Sequence, residues 1–208
     1  MALVDANYRI IIADVGAYGK NSDGGIFSNS VMGQALLNGK LSIPSNKTLP
    51  GTNITLPHVI VGDESFPLNK NIMRPYPRIQ TRHDETKAIF NYRLSRARRL
   101  TENVFGILTQ KFRIYQRRLQ MSPEHIDNVI LATCLRNFLR GNLHAIEIDP
   151  SNNNQQTNNV STIHDLRNVG GKATEEALHI REEFKNYFCT TGAVDWQTDM
   201  IRGGYTNQ

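Results

Sequence analysis

Apolar residues in the first fifteen positions cluster as β-formers, with Leu3 and Val4 followed by Tyr8, Ile10, Ile11, Ile12 and Val15. Asp5-Ala6-Asn7 between the two groups reads as a turn, so the chain is expected to open on a hairpin with strands within 2–5 and 9–15. A glycine-rich loop is expected over 16–25. Helical spacing from 26 to 37 then predicts a helix that Asn38-Gly39 stops. Proline, glycine, asparagine and threonine make 40–57 an irregular connection. His58-Val-Ile-Val-Gly-Asp63 has the look of a short buried strand whose carboxylate emerges at the C-terminal tip, and the three prolines in 66–77 predict a loop.

The longest signal follows. From 84 to 120 there is no proline, and Phe90, Leu94, Ala97, Val104, Leu108, Phe112, Tyr115 and Leu119 recur at helical intervals, which predicts a long amphipathic helix with Gly106 as a potential break. Ser122-Pro123-Glu124 opens a second helix over 126–139. Residues 151–159 are almost all Asn, Gln, Ser and Thr, a composition that cannot bury a core and reads as a linker. A last amphipathic helix is expected over 174–188, before a tail that carries the only tryptophan, Trp196.

At 208 residues, 39% hydrophobic and 21% charged, the chain has the material for one packed domain and is neither a fibre nor a disordered polymer. No window approaches the roughly 18 consecutive apolar residues of a membrane helix. The two cysteines, Cys134 and Cys189, offer no disulfide framework, and the six histidines form no zinc spacing, so both cysteines are expected to be reduced and structural. Gly16-x-x-Gly19-Lys20-Asn21 lacks the spacing and the Ser/Thr of a phosphate-cradling Walker loop.

Charge changes the picture more than composition does. The net charge is only +5, yet 69–118 holds 13 Lys/Arg against Asp84, Glu85 and Glu102, so the rest of the chain is net acidic. A local cationic stripe is the footprint of a phosphate backbone, although a solvated helix face gives the same pattern. Arg93, Arg96, Arg98, Arg99, Lys111, Arg113, Arg117 and Arg118 are the candidate DNA-backbone contacts. Two acids stand out against this background: Asp63 at the strand tip and Glu102, the acid within the basic interior of the long helix. Each is either a structural ion pair or a metal ligand beside a phosphate-binding surface. Carboxylates on a strand tip and a crossing helix can hold two Mg²⁺ about 4 Å apart, the arrangement of two-metal nucleases.

Several ordered segments sharpen this. Met1-Ala-Leu-Val-Asp-Ala-Asn-Tyr-Arg, Asp14-Val-Gly-Ala, Ser22-Asp-Gly-Gly-Ile-Phe, Val61-Gly-Asp-Glu-Ser-Phe-Pro-Leu, Arg74-Pro-Tyr, Phe90-Asn-Tyr-Arg-Leu-Ser-Arg-Ala-Arg-Arg and Glu102-Asn-Val-Phe-Gly-Ile-Leu resemble the PIF/Harbinger transposase-derived nucleases (DDE superfamily endonucleases), in the same order. Arg181-Glu-Glu-Phe-Lys-Asn-Tyr-Phe and Gly192-Ala-Val-Asp-Trp-Gln resemble that family's C-terminus. Near Cys134 the chain departs from the family, reading Cys-Leu-Arg-Asn where the family has Cys-Leu-Leu-His-Asn.

The resemblance implies an α/β fold, an RNase H-like mixed sheet with packed helices, and a DDE acidic triad in which Asp63 matches the second acid and Glu102 the third. In the family the first catalytic Asp and a helical DNA-binding region precede the segment that begins here at Met1. The chain is therefore expected to lack the first, central strand and to be truncated at the N-terminus. The implied division is the C-terminal portion of the nuclease domain over 1–145, a polar Asn/Gln-rich linker over 146–172, and a C-terminal helix and tail over 173–208. The implied cofactor is a divalent metal, Mg or Mn, held by Asp63 and Glu102. DNA is the implied substrate and a Myb/SANT-like accessory protein the implied partner, with a nuclear address, no membrane and no small-molecule substrate. The expected activity is metal-dependent DNA cleavage in intact relatives and none in this chain, the rival expectation being a non-catalytic DNA- or protein-binding remnant of a domesticated transposase.

Overall fold

The computed structural model describes residues 1–14, 23–113 and 173–205. The predicted hairpin is present: β1 (Ala2–Val4) pairs antiparallel with β2 (Ile10–Ala13), with an irregularity after Leu3. Its turn is built by Asp5, whose Oδ1 accepts from the backbone N–H of Asn7 and Arg9 at 2.8 Å each, and Tyr8 takes the left-handed conformation at φ 61°.

Where one helix is expected over 26–37, two are found, α1 (Asp23–Asn29) and α2 (Val31–Leu37). Ser30 divides them. It is extended, its hydroxyl donates to the Phe27 carbonyl at 2.7 Å, and the same oxygen accepts from the Gly33 N–H at 2.9 Å, which starts the second helix. The sharp corner needs Gly33: a Cβ there would lie 1.8 Å from the Phe27 carbonyl oxygen. Gly39, at φ +67°, ends α2 where Asn38-Gly39 predicts.

The irregular connection carries a two-residue ladder, β3 (Lys47–Thr48) against β4 (Thr55–Leu56). The buried strand is shorter than predicted, β5 (Ile60–Val61), and its partner β6 (Ile72–Met73) lies inside the segment expected to be loop. These two run parallel, with Ile60 opposite Ile72 and Val61 opposite Met73. Because successive side chains on a strand face opposite ways, the pair separates two cores. Ile60 and Ile72 pack with Phe27, Met32 and Leu36 of α1–α2 and with Leu3 and Ile12 of the hairpin. Val61 and Met73 pack with Leu68, Tyr76, Phe90, Leu94 and Ile180 on the other side.

That second side is covered by α4 (Glu85–Lys111), preceded by the short α3 (Arg78–Thr81), and by α5 (Glu175–Cys189). Helix α4 runs through Gly106 without a break, because Val104 and Leu108 continue the buried face and open space surrounds the glycine. It ends before the predicted 120, since Phe112 is extended. A final helix not foreseen in the tail, α6 (Gln197–Tyr205), packs Ile201 against Ala88 and Ile89. The fold is thus mixed α/β, with helices on both faces of the parallel pair. The single mixed sheet expected is replaced, among the described residues, by three separate two-stranded sheets. The expected helix over 126–139 and the linker over 146–172 lie outside the described residues.

Candidate functional site

Asp63 leaves β5 two residues past its end, in a turn held from several sides. Its Oδ1 accepts from the Ser65 backbone N–H at 2.9 Å and from the Ser65 hydroxyl, a local pairing that short polar residues favour in turns. Gly62 lets the backbone pass against the Phe66 ring, which a Cβ would approach to 2.8 Å, and Phe66 rests on Phe27 with centroids 5.3 Å apart. Arg74 closes the turn from behind, its Nη1 donating to the carbonyls of Phe66 at 3.2 Å and Glu64 at 3.4 Å. The Asp63 carboxylate is therefore placed by backbone, ring packing and a cation.

Its free oxygen, Oδ2, faces Arg98 of α4 at 3.9 Å, in a pair of which the arginine side chain is 39% and the aspartate 27% exposed. Helix α4 is started by Asp84, whose Oδ1 accepts from the N–H groups of Thr86 and Lys87 and from the Thr86 hydroxyl. The hydroxyl bond, more than anything else, holds that carboxyl below the usual range. From this start the buried stripe of Ile89, Phe90, Leu94, Val104 and Leu108 fixes the rotation of the helix and so aims its cations. Glu102 lies one turn beyond Arg98, and residues four apart on a helix are neighbours. Glu102 is exposed. Arg98 thus faces Asp63, and helical spacing puts Glu102 on the same flank of α4 as Arg98.

The predicted cationic residues do not share one face, since residues two apart on a helix do not face each other. Arg93 is turned inward: its Nη1 donates to the Gly192 carbonyl and to Gln197 Oε1, both at 3.2 Å, and its guanidinium stacks 4.8 Å from the Phe188 ring. Arg96 lies 4.2 Å from the centroid of Trp196, a ring that also meets Tyr92 edge-on at 6.0 Å. Arg99, Lys111 and Arg113 are exposed. Among the described residues no carboxylate pairs with Arg96, Arg99, Lys111 or Arg113. Arg117 and Arg118 lie outside the described residues.

One cluster behind the Asp63 turn escaped the sequence reading. Arg181 of α5 is buried with its guanidinium 3.9 Å from the Tyr76 ring centroid, and its Nε has no hydrogen-bond partner among the described residues. The Tyr76 hydroxyl donates to Glu182 Oε1 at 2.6 Å, and Glu182 also pairs with Lys185. Burial, reinforced by the Glu182 bond, pushes the Tyr76 phenol well above its ordinary value. Together these contacts clamp α5 onto the segment that follows β6. Nothing local announces this cluster. Ser65 also went unremarked, although an Asp-x-Ser spacing is a local signal for the turn it makes with Asp63.

A strand-borne acid facing a basic helix is the frame into which the family comparison falls. The model of the DDE superfamily endonucleases matches residues 1–135, which include β5, Asp63 and the whole of α4. The chain belongs to the DDE superfamily endonucleases. No curated protein and no solved structure matches it significantly. Endonucleases of this superfamily generally use a divalent metal. In this chain, as arranged, the residues at Asp63 do not fit one: Oδ1 takes two hydrogen bonds from Ser65, Oδ2 faces a guanidinium, and Glu102 lies a helical turn beyond that guanidinium. Among the described residues no group of three His, Cys, Asp or Glu side chains is placed to hold a cation. No helix among them is long and apolar enough to cross a membrane.

Proposed function

We propose that this DDE superfamily endonuclease chain is a transposase-derived domain of the PIF/Harbinger type that holds DNA along α4 and does not cut it. The observation that carries the reading is the disposition of charge on that helix. Its cations Arg96, Arg99 and Lys111, with Arg113 just past its end, have no carboxylate partner among the described residues, while the one acid at the strand tip is neutralised by Arg98. Cations free of carboxylate partners are available to phosphate oxygens, and such contacts supply most sequence-independent DNA affinity.

The ordered segments from Val61-Gly-Asp-Glu to Glu102-Asn-Val-Phe support the PIF/Harbinger assignment. So does the succession of an N-terminal hairpin, an acid-tipped strand and a long helix, which is the order of an RNase H-like domain. On this reading Asp63 and Glu102 descend from the second and third metal-binding acids of cleaving relatives. The Arg98–Asp63 pair favours the binding remnant over the active nuclease, because phosphodiester cleavage of this kind needs carboxylates free to hold metal. The nuclear address and a Myb/SANT-like partner accompany the same reading.

The test pairs binding with cleavage. Full-length chain incubated with supercoiled plasmid is expected to retard the DNA in EDTA and to leave it intact in Mg²⁺ or Mn²⁺. Metal-dependent nicking that disappears in Asp63→Asn would overturn the non-cutting assignment, and absence of any retardation would overturn the binding one.

A further inference from the structure

The disagreement between a metal-using superfamily and the residues found around Asp63 has a structural cause that can be tested by itself. Of the two partners in the Asp63–Arg98 pair, the aspartate is the fixed one. Ser65 holds Oδ1, Arg74 holds the carbonyls of Glu64 and Phe66, and Phe66 is packed on Phe27. Arg98, in contrast, is a long side chain on an exposed flank of α4, 39% accessible, reaching Oδ2 only at 3.9 Å. A guanidinium cannot be deprotonated in a protein, so its charge stays at the carboxylate at every working pH.

We infer that Arg98 is the resident counter-ion of Asp63 and occupies the place a divalent cation would need, so that cation and guanidinium compete for one carboxylate. The inference rests on reading Asp63 as the acid of the candidate site. It goes beyond that reading by assigning Arg98 a positioning role distinct from that of Arg96, Arg99, Lys111 and Arg113. Among the described residues those cations have no carboxylate to leave, whereas Arg98 must release Asp63 before a phosphate can have it. A divalent ion placed beside Asp63 meets a like charge a few ångströms away, and such repulsion stays substantial at the effective dielectric of a partly exposed site.

The experiment measures Mn²⁺ binding to the full chain by the electron paramagnetic resonance signal of the free ion, with no DNA present. Arg98→Ala is expected to bind Mn²⁺ about tenfold more tightly than the wild type. Arg98→Lys, which keeps the charge, is expected to stay within about twofold of it. The gain must vanish in Arg98→Ala/Asp63→Asn. Should Arg98→Ala lose helicity by circular dichroism, Arg98→Gln carries the same expectation with the stem of the side chain retained. Equal Mn²⁺ affinity in the wild type and the charge-removed variant, or a gain that survives Asp63→Asn, would overturn the inference. With DNA absent, neither result depends on whether α4 binds phosphate, which is settled separately by retardation in EDTA.

Discussion

Phe90→Ala is expected to cost about 3–5 kcal/mol of folding stability, enough to leave a domain of ordinary stability largely unfolded. Phe90 is fully buried where three elements meet: the parallel pair through Met73 and Val61, its own helix through Leu94, and α5 through Ile180. Its ring meets Tyr76 edge-on at 5.2 Å and lies 6.1 Å from Phe188, so truncation removes aromatic contacts as well as apolar burial. The neighbours are anchored from both sides, Tyr76 by Glu182 and Phe188 by Arg93, and cannot collapse into the void. Urea unfolding reads the effect as a lowered midpoint with an unchanged slope. Val31→Ala, at a side chain 88% exposed, should stay within about 0.5 kcal/mol of the wild type. A loss below about 1 kcal/mol for Phe90→Ala would mean that α4 and α5 do not share one core.

The second large effect falls on DNA. Each phosphate contact contributes about 0.9 log units per tenfold change in salt, so with the ionic contribution vanishing at about 1 M salt, the loss of three contacts should weaken binding at about 0.1 M by roughly 500-fold. Arg96→Ala/Arg99→Ala/Lys111→Ala is expected to show this loss with little change in stability. These three residues are exposed on α4, and none of them pairs with a carboxylate among the described residues. Arg93→Ala is expected to behave oppositely. Its guanidinium is committed to Gly192, Gln197 and Phe188, so its removal should lower stability and leave the phosphate contacts standing. Fluorescence anisotropy of a labelled duplex separates the two outcomes, and a triple variant that binds within about threefold of the wild type would refute the assignment of the helix.

How legible this was in the sequence depended on how local the cause was. The opening hairpin follows from the Asp5 turn, and the start of α4 follows from Asp84 with Thr86 two residues on; both signals are complete within five residues. The stop at Gly39 is equally local. Ser30 was a weaker signal, because a serine inside a helical spacing reads as tolerated until Gly33 is seen to let the second helix turn back on Phe27. β6 was missed because two apolar residues among prolines and asparagines carry no alternation. They become a strand only by pairing with β5, a contact made in three dimensions. Gly106 reads as a potential break by propensity alone, and only the burial of Val104 and Leu108 on either side of it shows that the helix continues.

At the site, the residues were easier to name than their roles. Asp63 and Glu102 stand out from composition alone, yet whether an acid is a ligand or half of an ion pair depends on what faces it, and Arg98 faces Asp63 from 35 residues away. The basic stripe likewise reads as one feature along the chain. On the helix it divides into an inward Arg93, an Arg96 lying on Trp196, an Arg98 held by Asp63, and an outward Arg99. The buried Arg181 on Tyr76 had no sequence signature, since either partner alone looks like a surface residue.

The central claim, that α4 meets the phosphate backbone without metal, is tested most directly by the salt dependence of duplex binding in EDTA. The account predicts a steep linear fall of log K with log salt for the wild-type chain, flatter by about 1.8 in Arg99→Ala/Lys111→Ala, which removes two contacts. The same slope in both proteins would contradict it and reduce the cations of α4 to a solvated helix face.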